Sequence, residues 1–358
     1  MLIVVLALPP GPRPTGVAAQ QATPAAAVEP GPDPALARAV AYLLGEQDDS
    51  GAFLGMNGTP DPSATTDAVF ALAAAAQRGV DTGAAIDQAV AYLATDGPAY
   101  AETGAGPAAK LALAAIAGGK DPRSFGGVDL IAGLTGPAPG TPPGAPDNLH
   151  GAGVFNHTLV LLALAAANEP IPPAAIEALR PAQLDDGSWG FAGTTEAGSG
   201  DSNTTALVIQ ALVATGNGTD PMVEPALAYL QSVQTLLGQF LFQAGEPETA
   251  DANSTALAVQ ALIAAGQDPS SADWANAERG LVAFQNVSGG FRYIDAEPAD
   301  NLLATLHAVP ALAGYALPVA TACDDPAPIA EIDATPEVIE LPAPGRGQAP
   351  CVPLAPAA

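Results

Sequence analysis

The residues with chemistry to offer stand at recurring points of this 358-residue chain. Asp201-Ser202-Asn203-Thr204-Thr205 returns fifty residues later as Asp251-Ala252-Asn253-Ser254-Thr255, and Asp61-Pro62-Ser63-Ala64-Thr65, with Asp67 behind it, holds the same place earlier. Asn156 with His157, and Asp300 with Asn301, take related positions. Each set precedes or opens an apolar run. Such residues accept hydrogen bonds from the free N–H groups at a helix start, so ordinary capping accounts for any one of them. Gathered at one rim, Asp61, Thr65, Asp67, Asn156, His157, Asp201, Asn203, Asp251, Asn253 and Asp300 would surround a mouth with hydrogen-bonding groups. That is the expected ligand-binding set.

The same search assigns no catalytic residue and no metal ligand. Adjacent acids occur at Asp48-Asp49, Asp185-Asp186 and Asp324-Asp325, and neither cysteine lies inside a repeat. A reaction needs an acid–base pair, an activated nucleophile or a metal, and no such set is visible. With 37 Asp plus Glu against 10 Lys plus Arg the net charge is −27, which repels a phosphate backbone or an anionic membrane surface. Nucleic acid is excluded as a partner, and a small molecule is favoured. The mouth could also be completed by a separate domain or a cell-surface partner.

The elements that must position this set are helices of two kinds. Amphipathic patterns run over Pro34 to Glu46, Ala84 to Thr95, Pro173 to Gln183, Pro221 to Leu236 and Ala272 to Gln285, and a weaker one over Asp121 to Leu134. Between them lie runs apolar on every side, starting at Thr65, Pro107, Thr158, Thr205, Thr255 and Leu302. Helices of that kind must be surrounded by protein. The starts are 42, 51, 47, 50 and 47 residues apart, one helical hairpin per period. Four loops repeat Gln, three residues, Gly, one residue, aromatic: Gln47, Gly51, Phe53; Gln183, Gly187, Trp189; Gln234, Gly238, Phe240; Gln285, Gly289, Phe291. Six inner helices wrapped by six outer ones predict an all-α double ring. An open solenoid is the alternative.

The Gln-Gly-aromatic motifs and the period resemble those of the terpenoid cyclase and protein prenyltransferase superfamily, over about Asp33 to Leu317. The resemblance implies an α/α toroid in which each Gln caps an outer helix and ties successive hairpins together. The Asp-any-Asp-Asp acid of the triterpene cyclases is absent, and the expected inner helices offer only Phe70 as an aromatic face. The zinc set of the prenyltransferases is absent too, with Asp201-Ser202-Asn203 where an Asp and a Cys should stand and His307 as the later histidine. The polar helix starts are most similar to exported toroids of the intrinsic factor and transcobalamin kind. That resemblance implies a non-catalytic binding protein for cobalamin or another amide-rich molecule, with His157 or His150 reaching cobalt. A terpene-cyclase-like or prenyltransferase-like enzyme is the second expectation, and a carbohydrate-active α/α barrel the third.

The ends read differently from the repeats. Residues 1–32 combine an apolar run from Leu2 to Leu8 with a Pro- and Ala-rich linker, a signal-like leader that predicts an extracellular or cell-surface protein. Residues 33–317 form the toroid, and 318–358 a Pro- and Ala-rich tail. Cys323 and Cys351 lie in that tail, either joined by a disulfide or as two free thiols.

Overall fold

The computed structural model of the chain describes residues 33–135, 153–245 and 249–319. The runs without a polar face become six helices: α2 (Pro62–Ala76), α4 (Ala105–Ala117), α5 (Val154–Ala166), α7 (Ser202–Ala214), α9 (Ala252–Ala264) and α11 (Leu302–Leu312). Four are started by a side chain that accepts from the first turn: Asp61 from Ala64, Asp201 from Thr204, Asp251 from Ser254 and Asn301 from Ala304. These bonds satisfy donors that a helix start leaves free. The observed starts fall 43, 49, 48, 50 and 50 residues apart. The helices pack in the order α2, α4, α5, α7, α9, α11 and back to α2. Each is therefore flanked on both sides by a helix of its own kind.

Amphipathic segments cover the outside of this ring. They are α1 (Pro34–Glu46), α3 (Gly83–Ala101), α6 (Pro173–Glu177) with a 3-10 turn at Arg180–Ala182, α8 (Val223–Ser232), and α10 (Ala277–Val282) behind a 3-10 turn at Ala272–Trp274. The expected sixth outer helix over 121–134 is replaced by turns. Gly126 and Gly127 both take left-handed φ values, 60° and 83°, which an α-helix cannot accommodate. A Cβ on Gly126 would lie 2.6 Å from the Ala94 carbonyl of α3, so the close approach demands glycine there. Phe125, Leu130, Ile131 and Leu134 nevertheless fill the outer-layer position and are buried.

The repeated loops join hairpin to hairpin. Each Gln donates Nε2 to the carbonyl of the Gly four residues on and to a carbonyl near the start of the next outer segment. Gln47 reaches Ala85, Gln183 reaches Met222, Gln234 reaches Trp274, and Gln285 reaches Ala35. Gly289, at φ 98°, sits where a Cβ would come within 2.2 Å of the Arg38 carbonyl. The aromatics Phe53, Trp189, Phe240 and Phe291 are fully buried. Their backbone N–H groups donate to Thr65, Thr205, Thr255 and Thr305 on the following inner helix. The link from Gln285 to Ala35 joins the last repeat to the first and closes the ring, which the open solenoid would lack.

Two substitutions separate packing from tying. Trp189, whose Nε1 donates to the Leu179 carbonyl at 2.8 Å, is expected to cost about 3–5 kcal/mol when changed to alanine. Gln285→Ala removes three hydrogen bonds, two donated to Ala35 and Gly289 and one accepted from Arg38, and is expected to cost about 1–3 kcal/mol. Urea denaturation measures both. An unchanged midpoint for Gln285→Ala would show that closure does not depend on this link.

Candidate functional site in the lumen of the ring

The six inner helices turn equivalent positions inward. Residues four and three apart share one face of a helix, so the second, sixth and ninth residues form a stripe. The sixth residues are Asp67, Lys110, Leu159, Leu207, Leu257 and His307, and all six line one cavity of about 90 Å³. Phe155 from a second position, and Phe70, Gln260 and Pro310 from ninth positions, complete the wall with Leu306. Leu317, beyond α11, also faces this space. The chain turns at Gly314, and the Leu317 N–H then donates to Gln210 Oε1 at 2.9 Å, bringing the residue back against the inner helices.

The layer of sixth residues is divided in two. Leucines occupy it on α5, α7 and α9, which are consecutive in the ring, while α11, α2 and α4 contribute His307, Asp67 and Lys110. Lys110 Nζ donates to Asp67 Oδ2 at 2.7 Å, to Ser63 Oγ at 3.0 Å and to the Ser63 carbonyl at 3.2 Å. All three ammonium protons are thus engaged. Asp67 Oδ1 accepts no hydrogen bond from the described residues. His307 Nδ1 is inaccessible to solvent and unpartnered. Burial pushes the His307 imidazole below its ordinary pKa, opposed by the charge of Asp67 and reinforced by that of Lys110. The ring is neutral near pH 7, with one donor and one acceptor nitrogen.

The polar residues at the helix starts do other work. Asp201 Oδ1 and Oδ2 accept from the Thr204 N–H and hydroxyl, and Asp251 is bound in the same way by Ser254. Both residues are 3% exposed, and burial raises the pKa of their carboxyl groups above the ordinary Asp range. Asp61 caps α2, and Thr65 accepts from Phe53. His157 Nε2 lies 2.7 Å from the Ala175 carbonyl, toward the outer layer. Asp300 Oδ1 accepts from Asn286 and Ser288, and Asn301 is the cap of α11 instead. Asn156 lies against Gly106, where a Cβ would be 2.0 Å from its Oδ1. The expected collar is therefore revised: cap and fourth positions face their own helix or the outer layer, and the sixth positions face the lumen. Of the expected set, Asp67 lines the cavity, and Asn203 and Asn253 stand one turn above it at second positions.

Lys110 and His307 were not in the expected set, although each is the sole titratable residue of its inner helix, as Asp67 is of α2. Aligning the six helices from their true starts would have shown the column. Phe155 was missed because α5 begins at Val154, four residues before the expected start, so the lumen has two aromatic faces. His150, Cys323, Cys351 and the leader lie outside the described residues.

Solved structures decide what this architecture is. The type II terpene cyclase MstE from Scytonema superposes with a TM-score of 0.56 and 18% identity, over 78% of this chain and 96% of that one. The chain has the α/α-toroid fold. A protein from Actinoplanes gives 0.55 and 19% over 78% and 98%. A possible member of the GH105 family from Salmonella enterica gives 0.54 and 13% over 78% and 92%. No family model matches the sequence, and no curated protein does either.

The buried caps of the toroid set a pH dependence. A carboxyl whose folded pKa is raised binds its proton more tightly in the native state, so its contribution to stability falls as pH rises through that raised value. Replacing Asp201 and Asp251 together by Asn keeps an acceptor for each helix start and removes the titration. The stability of the wild type relative to this variant is expected to increase on acidification from about pH 7 to about pH 4. Denaturant titrations of both proteins across that range check it, and a difference that shrinks on acidification contradicts it.

Proposed function

We propose that the toroid holds a small, mainly apolar molecule in its lumen, with one polar end of the ligand at Asp67, Lys110 and His307. The observation that carries this reading is the divided layer: one residue from each of six helices, three leucines facing three polar groups across one cavity. Convergent polar groups in an otherwise apolar enclosure are the usual make-up of a small-molecule site. A buried ion pair is rarely kept for stability, since apolar residues of similar volume do as well or better. An amide-rich corrinoid is not favoured. The lumen of about 90 Å³ is far below the roughly 300–1,000 Å³ of sites for larger ligands, and its walls offer few amide partners.

A second reading, isoprenoid chemistry of the terpene-cyclase kind, draws support from a carboxylate set among Phe70 and Phe155, whose ring faces can steady a cation. It requires Asp67 to leave Lys110 before it can act as an acid, and Leu317 to give room for a longer chain. A glycoside hydrolase needs a second carboxylate facing the first, and among the described residues lining the lumen Asp67 stands without one.

The experiment is saturation-transfer NMR of the purified protein against a mixture of branched five-carbon compounds, short prenyl alcohols, cobinamide and cellobiose, with product analysis of the same mixture. The apolar members are expected to bind, and Leu207→Trp, which fills the lumen, to abolish their signal. Binding of cobinamide or cellobiose, or apolar binding indifferent to Leu207→Trp, contradicts the lumen reading. Turnover of a prenyl compound that is lost in Asp67→Asn with the fold retained selects the second reading over simple binding.

A further inference from the structure

We infer that the polar end of the lumen ligand is an uncharged hydroxyl group, so that the ligand class is a small branched alcohol. This rests on the lumen reading above and adds the choice of head group. Three observations fix the chemistry. Lys110 has its three protons engaged by Asp67 and Ser63, so it has no donor left for a ligand carboxylate. Asp67 presents Oδ1 as an acceptor that no described residue uses, and an acceptor satisfied by a ligand must face a donor. His307 also lines the cavity, and because its Nδ1 is closed off from that space, the ring nitrogen left for a ligand to meet is Nε2.

Charge then discriminates among ligands. Asp67 and Lys110 together are neutral, and His307 is neutral because burial disfavours its cation. A carboxylate ligand would stand beside the Asp67 carboxylate and add an uncompensated negative charge to an enclosed space. An ammonium ligand would answer Asp67 but leave two cations against one anion. Either excess charge is expensive away from water. A hydroxyl both donates and accepts. It donates its single proton to Asp67 Oδ1 and accepts from the His307 ring N–H, which selects the tautomer protonated on the nitrogen that faces the ligand, while the arc stays neutral.

The opposite wall sets the body of the ligand. Leu159, Leu207 and Leu257 offer a branched apolar surface to a cavity of about 90 Å³. A short branched skeleton follows a wall of leucines more closely than a flat aromatic ring does, and a long chain exceeds a cavity of this size.

The test holds the skeleton constant and changes the head. Four probes are titrated calorimetrically into the wild-type protein: 3-methylbutan-1-ol, 3-methylbutylamine, 3-methylbutanoate and 1-chloro-3-methylbutane. The alcohol is expected to bind about tenfold or more tightly than each of the other three, because it alone completes the hydrogen bonds without adding charge. The Asp67→Asn variant, which keeps the shape of the arc, is expected to narrow the gap between alcohol and chloride. Equal binding of all four probes overturns the hydroxyl assignment and leaves the lumen reading standing. Tightest binding of the acid or the amine overturns it in favour of an ionic head group. Failure of all four to bind, in protein shown by circular dichroism to be folded, overturns both readings.

Discussion

Helices without a polar face are stable in water only when every side is covered, and a row of them always leaves one exposed at each end. Joining the ends removes that exposure. In this chain the join is local and specific: Gln285 donates to the carbonyl of Ala35, and Gly289 lies so close to Arg38 that a Cβ would touch its carbonyl. The same two contacts occur between earlier hairpins, so closure reuses the link that builds the row. The positions available to ligand follow from it. Once α11 lies against α2, each inner helix has neighbours on two sides, an outer segment behind it, and a single stripe left to face the axis.

A closed ring of six helices makes a space at its centre, and the side chains on the inward stripe decide how it is used. Leucines on one half would make a dry cavity if the other half matched them. Asp67, Lys110 and His307 break that symmetry at considerable cost in desolvation, partly met by the hydrogen bonds between Lys110, Asp67 and Ser63. His307 retains a nitrogen with no such compensation. An arrangement that is poorer than an all-apolar core for stability, and that comes from three separate repeats, supports the proposed role in recognition.

The architecture was legible in the sequence because its signals are periodic. The apolar runs, the Gln-Gly-aromatic loops and the Thr residues at helix starts recur at nearly fixed spacing, and each reports a local contact of the chain. The segment 121–134 misled because its apolar residues keep a helical spacing while Gly126 and Gly127 serve a close approach to Ala94 that no local pattern reveals. The proposed site lies one turn further along the inner helices than the expected collar. Asp201 and Asp251 are conspicuous at helix starts, yet they serve those starts; the inward column of Asp67, Lys110 and His307 becomes visible only when helix register is known to within one residue. Phe155 shows the size of that effect, since moving the start of α5 by four residues places a second aromatic in the lumen.

The proposed function depends on an apolar pocket at the axis of the ring, walled by the leucines of α5, α7 and α9. A crystal pressurised with xenon tests it most directly, because xenon enters apolar cavities of this size and marks them by anomalous scattering. One principal xenon site is expected in contact with Leu159, Leu207 and Leu257, on the side of the lumen away from Asp67 and Lys110. Xenon found only at the helix starts or on the outer surface, with the lumen empty, would contradict it.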